Sequence, residues 1–467
     1  MTSPATQPNP PEAQPAAAPA GVIAVLAGGI LLQALNMYLT SALMPSIVGD
    51  IGGQEFYAWV TTAFIVASVA ATIAVPAVLS RLGSRVSYLV AAGAFGVGSC
   101  VGAVAPSMEL LLAGRGVQGI GGGLLSGLAF ALIRSSLPER AWGRGTAIIS
   151  AMFGVGTLAG PAIGGAFAQF DGWRAAFGVI AVVAIALGVA ATVILPPSPR
   201  SEGTTRLPWL SLFVLTAAVS ALSLAGVVPG GWFWVALSAG VVLLLVFVAT
   251  DRAAHEGVLP SITYRAGALK WIYIALALTT TVTASEAFTP LFGQRLFALE
   301  PFAAGFLGAA VSAGWSAAAL WSGKVADPRA QQRMALAGPA LTAAMMLTLV
   351  LLQWVPATPW TLICWIVALT VAGAGVGLSN PHLSVWVMSS VSDDADGAKA
   401  ASAIPVASLI GQAIVAALGG TVVNAGLPSY ALASSNLFIL LGVVALAGVF
   451  AVRSAIRHQP RPGTHHD

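Results

Sequence analysis

Long apolar segments repeat along the whole chain, and they constrain its fold more than any other feature. A transmembrane helix needs about 20 consecutive apolar residues, whereas a spanning strand needs only about 10 with alternating polarity, a pattern absent from these segments. The sequence therefore predicts an all-α polytopic membrane protein. The fourteen predicted spans are 21–44, 58–79, 86–105, 110–133, 145–168, 176–195, 208–227, 232–250, 271–292, 303–323, 334–354, 360–388, 401–424 and 431–452.

The scarcity of charge excludes a soluble protein. Charged residues make up 8% of the 467 residues, against about 25% in a typical soluble chain, too few to cover a water-exposed surface. Cys100 and Cys364 lie in separate apolar runs, so that neither a disulfide framework nor a cysteine metal site is predicted. No cofactor is expected.

The basic residues predict the orientation of the chain. Residues 1–20 are rich in Pro and Ala and indicate a disordered tail, and 21–44 is too long for a signal-peptide core. If both termini are cytoplasmic, 17 of the 20 Lys and Arg residues lie on the cytoplasmic side, as the positive-inside rule requires. The exceptions are Arg174 and Arg295, on the outer side, and Arg115, within a span.

Internal repetition indicates a transporter. Six spans (21–195) and six further spans (271–452) flank a linker (196–270) that holds two extra helices, and residues 453–467 form a basic tail. The turn around Gly83 resembles that before Asp327, and the fifth span of each half is interrupted, around Pro161 and around Pro405. Matched interruptions predict a substrate path between the halves.

The fifth span contains a face of small residues. Gly156, Gly160 and Gly164 are spaced by four residues, so that another helix backbone can approach closely, while Pro161 leaves a carbonyl unbonded and Gly165 follows. Ordinary close helix packing is the alternative interpretation.

Two charged side chains lie inside predicted spans. Arg115, with Gln118 one turn later, is costly in hydrocarbon and is expected to face a cavity or a partner; the alternative is that it extends to the surface about 9 Å away. Glu286 is the only carboxylate well inside a span. Because desolvation favours the protonated form of a carboxylic acid, Glu286 suits the loading and release of a proton. A structural ion pair or contact with the interface is the alternative for Glu286.

Further polar and aromatic residues in the spans are candidates for the lining of a substrate cavity, although interhelical hydrogen bonds, core packing or lipid contact would also explain them. They are Gln33, Asn36, Phe288, Trp315, Asn380 and Gln412.

Several motifs are absent from the sequence. There is no phosphate-binding G-x-x-x-x-G-K-[ST] loop and no H-E-x-x-H, G-x-S-x-G or C-x-x-C, and the loops are too short to hold a catalytic domain. These observations argue against ATP-driven transport and against an enzyme.

Three motifs resemble those of the major facilitator superfamily, in particular its fourteen-span drug:proton antiporter branch. Arg81-Leu-Gly83-Ser-Arg85 is similar to the loop motif after the second helix. Arg115-x-x-Gln118-Gly119 is similar to the fourth-helix motif, and Gly156-x-x-x-Gly160-Pro161-x-x-Gly164-Gly165 to the antiporter motif of the fifth helix.

The resemblance implies two six-helix bundles that alternate access to a central cavity and export amphipathic compounds in exchange for protons. It further implies that Arg81, Gly83 and Arg85 help to close the cytoplasmic side, that Arg115 takes part in proton coupling, and that the fifth-helix glycines form part of the bundle interface.

The chain departs from the family pattern at two acidic positions. Ser80 replaces the acidic residue of the first loop motif, although the second copy keeps Asp327, and Asn36 replaces an acidic residue that many relatives carry in the first helix. The coupling carboxylate is therefore expected at Glu286, electrostatically linked to Arg115.

The sequence thus favours a monomeric, proton-driven exporter of small amphipathic or cationic compounds in a bacterial plasma membrane, which does not bind nucleic acid. A dedicated exporter of one metabolite or lipid, an uncoupled facilitator, and a membrane sensor without transport are the alternatives.

Overall fold

The protein is all-helical in the residues that its computed structural model describes, namely 20–53, 56–198, 208–225, 228, 231–254, 257–265, 267–391 and 393–459. The predicted tail 1–20 falls almost wholly outside these residues, as do 199–207 of the linker and 460–467 of the basic tail. The helices are α1 (Ala20–Ile51), α2 (Tyr57–Ala103), α3 (Met108–Ser136), α4 (Glu139–Gln169), α5 (Trp173–Ile194), α6 (Trp209–Ala225), α7 (Gly231–Ala253), α8 (Ala268–Thr279), α9 (Thr289–Phe297), α10 (Pro301–Ser322), α11 (Pro328–Leu351), α12 (Pro359–Ser389), α13 (Asp394–Gly426) and α14 (Tyr430–His458).

The helices provide the fourteen predicted crossings. Twelve helical segments are long and apolar enough to span a membrane, and α6 is a shorter apolar helix of 17 residues. α2 supplies two crossings, because its 47 residues measure about 70 Å, more than twice the ~30 Å hydrocarbon core. Its turn lies at Gly83, whose φ of 73° favours glycine. The predicted all-α membrane fold is confirmed.

An even number of crossings returns the chain to the side of the membrane on which it started. We call the side where α1 begins and α14 ends the termini face, and the other side the opposite face. Helices α1–α5 pack against one another as a first half, and α8–α14 pack as a second half. The α6–α7 hairpin lies beside both, with α6 against α2 and α13. The domain boundaries at 195 and 271 stay predictions.

The interruption of the helices differs from the prediction. α4 and α13 continue through Pro161 and Pro405, because a membrane helix tolerates the loss of the single backbone hydrogen bond that proline removes. The break lies instead in the ninth span, where the 3₁₀ segment Thr280–Ala287 separates α8 from α9. The prediction of matched helix interruptions at the fifth span of each half is therefore wrong. The 3₁₀ interruption lies in the second half instead.

A buried carboxylate secures the loop that leads from the α6–α7 hairpin to the second half. Asp251, near the end of α7, is buried and accepts hydrogen bonds from the backbone N–H of Val258 (2.6 Å), the N–H of Leu259 (3.1 Å) and the hydroxyl of Tyr264 (2.6 Å). Burial, together with the Asp251 carboxylate, raises the pKa of Tyr264 well above its ordinary value. Asp251 therefore fixes the loop against α7.

We expect Asp251→Ala to destabilise the protein, because one buried donor and two half-buried donors lose their acceptor, and an unsatisfied buried polar group costs about 1–3 kcal/mol. The measurement is the thermal unfolding midpoint of the detergent-purified protein. Glu139→Ala, at an exposed position of α4, is the matched control and should leave the midpoint nearly unchanged. Equal midpoints for the two variants would contradict this role of Asp251.

Candidate functional site

Helix α1 presents polar side chains to both halves of the molecule. At 100° per residue, Asn36 and Thr40 share one face of the helix and Tyr38 lies on the other. Asn36 and Thr40 face the interior of the first half, where they meet α3, whereas Tyr38 contacts the second half. The two polar clusters described next are therefore joined through one helix.

The first cluster surrounds Arg115, which is 1% exposed and so does not extend to the surface. Its guanidinium donates to the carbonyl of Val60 (3.2 Å), to Gln118 Oε1 (2.9 Å) and more weakly to Thr40 Oγ1 (3.5 Å). It also lies 4.5 Å from the centroid of the Phe64 ring, a cation–π distance. Neutral dipoles and an aromatic face thus surround this charge.

Gln118 and Asn36 complete the arginine cluster. Gln118 Nε2 donates to Ser99 Oγ (2.7 Å) and to Asn36 Oδ1 (3.3 Å), so that the cluster joins α1, both arms of α2, and α3. Asn36 Nδ2 is buried and has no hydrogen-bond partner among the described residues. The predicted residues Arg115, Gln118 and Asn36 are therefore brought together, inside the first half.

The second cluster, the carboxyl site, is formed by Glu286, Tyr38 and Ser312. Tyr38 donates its hydroxyl proton to Glu286 Oε2 at 2.9 Å, and the Ser312 hydroxyl of α10 donates to Oε1 at 2.5 Å. Tyr38 belongs to the first half, whereas Ser312 and Glu286 belong to the second. One carboxylate therefore bonds to both halves. No ion pair joins Glu286 to Arg115 in the described residues, and their electrostatic link stays a prediction.

The local sequence explains why the backbone breaks at Glu286. The hydroxyl groups of Thr281, Thr283 and Ser285 donate to carbonyls three residues earlier, which favours the tighter 3₁₀ turn. Pro290 lies in the first turn of α9, where its missing N–H costs nothing. The break places Glu286 between two helical segments near the middle of a membrane crossing, as in transporters with broken helices.

The glycine face of α4 packs against α1 within the first half. A Cβ at Gly156 would meet Ala34, one at Gly160 would lie 2.6 Å from Tyr38 Cβ, and one at Gly164 would lie 2.9 Å from Ala42 Cβ. Each distance is shorter than real Cβ contacts. The structure therefore supports close packing of α4 on α1 as the role of these three glycines, and one of them abuts Tyr38.

Contact of α4 with the other half occurs at a different glycine. A Cβ at Gly154 would collide with the Ser316 hydroxyl and the Ser312 carbonyl of α10. By contrast, a Cβ at Gly165 would find nothing within 4 Å, so that this motif position makes no close contact. Pro161, which follows Gly160, is exposed. Gly154 thus marks the boundary between the halves.

Aromatic and polar residues continue this boundary toward the termini face. Phe153 of α4 stacks on Trp315 of α10 with ring centroids 6.1 Å apart and planes 18° from parallel. Ser316 donates to the Ala151 carbonyl at 2.9 Å, and Ser150 donates to Asn380 Oδ1 of α12 at 3.4 Å. Trp315 and Asn380, both predicted cavity residues, therefore lie where the halves meet.

Besides Asn36 Nδ2, two buried polar atoms of the predicted cavity residues have no hydrogen-bond partner in the part of the chain that the structure describes, Oε1 of Gln33 and Nε1 of Trp315. Of the remaining predictions, Phe288 caps α9 and lies against α13, where a Cβ at Gly419 would be 3.3 Å from its ring. Gln412 is half-buried on α13 and makes no hydrogen bond within the described chain.

The loop motif at the termini face holds the end of α5. Positive φ at Gly83 lets the Ser84 N–H donate to Ser198 Oγ (2.8 Å), while Arg85 Nε donates to the Leu195 carbonyl (2.7 Å). These contacts are within the first half, and Arg81 is exposed. Asp327, in the second half, caps α11 by accepting from the Ala330 N–H at 2.9 Å.

Arg134, at the end of α3, forms the bond between the halves at the termini face. Its guanidinium donates to the carbonyls of Val391 (2.8 Å), Asp393 (3.3 Å) and Met388 (3.4 Å). The Met388 and Val391 carbonyls end or follow α12, where carbonyls lack partners within the helix. The Asp393 carbonyl also accepts from the Gly397 N–H of α13 at 2.8 Å. A Cβ at Gly397 would collide with the same guanidinium. The structure is therefore closed at the termini face.

Sequence reasoning missed three residues that the structure places at contacts between the halves: Tyr38, Ser312 and Arg134. Ser312 and Ser316 are spaced by four residues on α10, a small-residue pattern like that of α4, and this signal was available in the sequence.

Comparison with known proteins relates this geometry to transport proteins. The sequence model of the Major Facilitator Superfamily matches residues 26–416. A probable multidrug-efflux transporter of Mycobacterium tuberculosis (strain ATCC 25618 / H37Rv) is 41% identical over 450 residues, which cover 94% of this chain and 95% of the relative. An MFS-type efflux pump of Fusarium sp is 32% identical over 46% of this chain and 40% of the pump.

Two solved structures share the fold. The human organic anion transporter MFSD10 (TETRAN) superposes with a TM-score of 0.70 over 95% of this chain and 100% of its own, at 15% identity. The proton:xylose symporter XylE, bound to 6-bromo-6-deoxy-D-glucose, has a TM-score of 0.66 over 92% and 94% of the two chains, also at 15% identity. The relatives and the fold are those of transporters, not of enzymes.

We expect Gly160→Ala to impair both stability and transport, because its Cβ must displace Tyr38, and overpacking of this kind costs about 1–3 kcal/mol. Gly165→Ala, one turn later in the same helix, is the matched control because its Cβ enters open space. The unfolding midpoint and transport rate in proteoliposomes are the measurements. If both variants change the unfolding midpoint and the transport rate equally little, the close α1–α4 contact does not limit stability or transport.

We expect Arg134→Ala to open the termini face, because three carbonyl acceptors lose a charged donor. At about 1.5 kcal/mol for one such bond, the ratio of open to closed molecules should rise roughly tenfold. Spin labels at Arg144 and Arg333, exposed on α4 and α11, would report the distance between the halves. Arg81→Ala is the comparison, and an opening caused by Arg81→Ala alone would favour the loop-motif prediction instead.

Proposed function

Because the chain belongs to the Major Facilitator Superfamily, we propose that it is a secondary active transporter that exports small amphipathic or cationic compounds in exchange for protons. The observation that carries the proton coupling is the position of Glu286, a half-buried carboxylate inside a membrane crossing that bonds to both halves of the molecule. The proposal of multidrug-type export rests on the 41% identity with a probable multidrug-efflux transporter over nearly the whole of both chains.

The proposed orientation follows from charge. The termini face carries the basic loops and helix ends that the positive-inside rule assigns to the cytoplasm, among them Arg81, Arg85, Arg134 and Arg144. On this assignment the structure is closed to the cytoplasm through Arg134 and through the contacts of α4 with α10 and α12. We propose a bacterial plasma membrane location and a monomer.

Glu286 suits a proton-carrying role for a physical reason. An ionised carboxylate in a membrane interior is costly unless donors surround it, and here two neutral hydroxyl groups supply that stabilisation without a permanent positive charge. A fixed cation beside Glu286 would keep it ionised throughout the cycle. With hydroxyl donors alone, both the charged and the neutral forms are accessible, as a group that releases a proton once per cycle requires.

The proposed substrate path lies where the halves meet. At this boundary Trp315 Nε1 is buried without a hydrogen-bond partner in the described residues, and an unsatisfied buried polar atom costs about 1–3 kcal/mol, so that a substrate carrying a hydrogen-bond acceptor would be stabilised there. Separation of the halves would unstack Phe153 from Trp315 and expose two aromatic faces, which attract planar or cationic molecules. These features support a polyspecific aromatic cavity.

The test is proton movement in energised inverted vesicles on addition of lipophilic cations such as ethidium and tetraphenylphosphonium. We expect each transported cation to release protons from the lumen of wild-type vesicles and Glu286→Gln to abolish that release, because the amide cannot carry a proton. Glu139→Gln, at an exposed position, should behave as wild type.

Three outcomes would contradict the proposal. Transport without proton release in either protein would indicate a facilitator, and release in Glu286→Gln vesicles equal to that of wild type would place coupling elsewhere. Transport of a single compound from a broad panel would indicate a dedicated exporter.

A further inference from the structure

The hydrogen bond between Tyr38 and Glu286 joins the two halves at a single point. Three other sets of hydrogen bonds cross between the halves in the described residues, from Arg134, from Thr146 and Ser150, and from Ser316. All three sets lie closer to the termini face. They involve the N-terminal part of α4, the end of α3 and the last turns of α10. The Tyr38–Glu286 bond is the one nearest the opposite face.

The strength of this bond depends on the charge of Glu286. A hydroxyl that donates to an ionised carboxylate forms a hydrogen bond about twice as strong as one between neutral groups. Protonation of Glu286 therefore weakens its bond to Tyr38. Protonation weakens the bond to Ser312 as well, but Ser312 and Glu286 belong to the same half, so that this second change does not act between the halves.

The position of Tyr38 is fixed independently of Glu286. A Cβ at Gly160 would lie 2.6 Å from Tyr38 Cβ, so that α4 holds the α1 backbone closely at this residue. The Tyr38 ring then reaches from α1 to the 3₁₀ segment, and the Tyr38 hydroxyl contacts the Glu286 carboxylate. Loss of this hydroxyl removes the bond while leaving the packing of the ring and of α4 in place.

On these observations we propose that the Tyr38 hydroxyl is the positioning group through which Glu286, when ionised, holds the two halves together toward the opposite face, and that protonation of Glu286 releases them. The inference rests on the proposed function of Glu286 as the proton-carrying group and adds how its charge acts on the shape of the molecule. In this scheme Tyr38 keeps its hydroxyl proton throughout and does not transport one.

Other titratable groups lie at a distance in sequence from the carboxyl site. Of the elements packed against Thr280–Ala287, α10 contains no titratable side chain, and those of α8, α13 and α14 lie near the helix ends. Two histidines lie on these elements, His382, buried on α12 toward the termini face, and His458, exposed at the end of α14. The groups on the packed elements are Lys270, Tyr273, Arg295, Cys364, His382, Asp394, Asp396, Lys399, Tyr430, Arg453, Arg457 and His458.

The experiment measures the separation of the halves at the opposite face as a function of pH. Nitroxide labels at Gly165 of α4, where a side chain enters open space, and at the exposed Gln294 of α9 report the distance by double electron–electron resonance. The native cysteines Cys100 and Cys364 are free and exposed, and both are replaced by serine in this background. The protein is the full chain in lipid nanodiscs.

We expect the wild-type label distance to lengthen as the pH falls, because protonation of Glu286 releases Tyr38. Tyr38→Phe should show the long distance already at high pH and lose the pH response. Glu286→Asp, which keeps a titratable carboxyl group but shortens its reach, should lose the response in the same way. Ser312→Ala breaks the bond within one half and should keep the lengthening itself, although loss of a donor to the carboxylate shifts the pH at which it occurs. His382→Gln should retain the wild-type response.

The outcomes separate this inference from the function on which it rests. A wild-type pH response in both Tyr38→Phe and Glu286→Asp would overturn the role of Tyr38, while loss of proton release in Glu286→Gln vesicles would leave the proposed function standing. Loss of the response in Ser312→Ala to the same extent as in Tyr38→Phe would also overturn it. If Glu286→Gln keeps both proton release and the pH response, the proposed function fails together with the inference.

Discussion

Inside a membrane, a charged side chain must find its stabilisation within the protein, and this requirement organises the centre of the molecule. Arg115 is surrounded by neutral acceptors and the Phe64 ring, and Glu286 by two hydroxyl donors. The two opposite charges are thus stabilised separately, by different groups. Helix α1 serves both, since Asn36 and Thr40 face one charge and Tyr38 faces the other.

Small residues set the distances on which the carboxyl site depends. Gly156, Gly160 and Gly164 bring α4 against α1, and Gly154 brings the same helix against α10. α4 therefore lies between Tyr38 on one side and Ser312 on the other, and it fixes both donors of Glu286 without contributing a polar group to the carboxylate. A displacement of α4 relative to α10 would change the geometry of this hydrogen-bonded site.

The fold leaves the identity of the cargo open. The chain shares its architecture at 15% identity with proteins described as an organic anion transporter and a proton:xylose symporter, whose cargoes differ in charge and polarity. Cargo is decided by the side chains that line the path, since one fold hosts many functions. On the path proposed for this chain they are uncharged polar and aromatic residues, such as Asn380, Phe153 and Trp315, which would favour amphipathic molecules over strongly hydrophilic ones.

The sequence predicted the elements of the site better than their relationships. The all-α membrane fold and its fourteen crossings followed from apolar segment length, and the costly positions Arg115 and Glu286 were identified because charge is rare in such segments. Their electrostatic link stays a prediction: in the described residues each charge is hydrogen-bonded to other groups, Glu286 to two hydroxyls and Arg115 to neutral acceptors. The proline rule failed at Pro161 and Pro405, where the helices continue, while the less conspicuous Thr280–Ala287 segment breaks.

By itself, the sequence determined that this chain lies in a membrane as a helical bundle and which residues are too polar to face lipid, since both follow from transfer energies that depend on residue type and segment length alone. Only the tertiary structure decided which polar residues meet: Tyr38 with Glu286, and Arg134 with the end of α12. Those pairs are more than 200 residues apart along the chain, and hydrogen bonds require positions accurate to a few tenths of an ångström, which only the packing of all the helices can set.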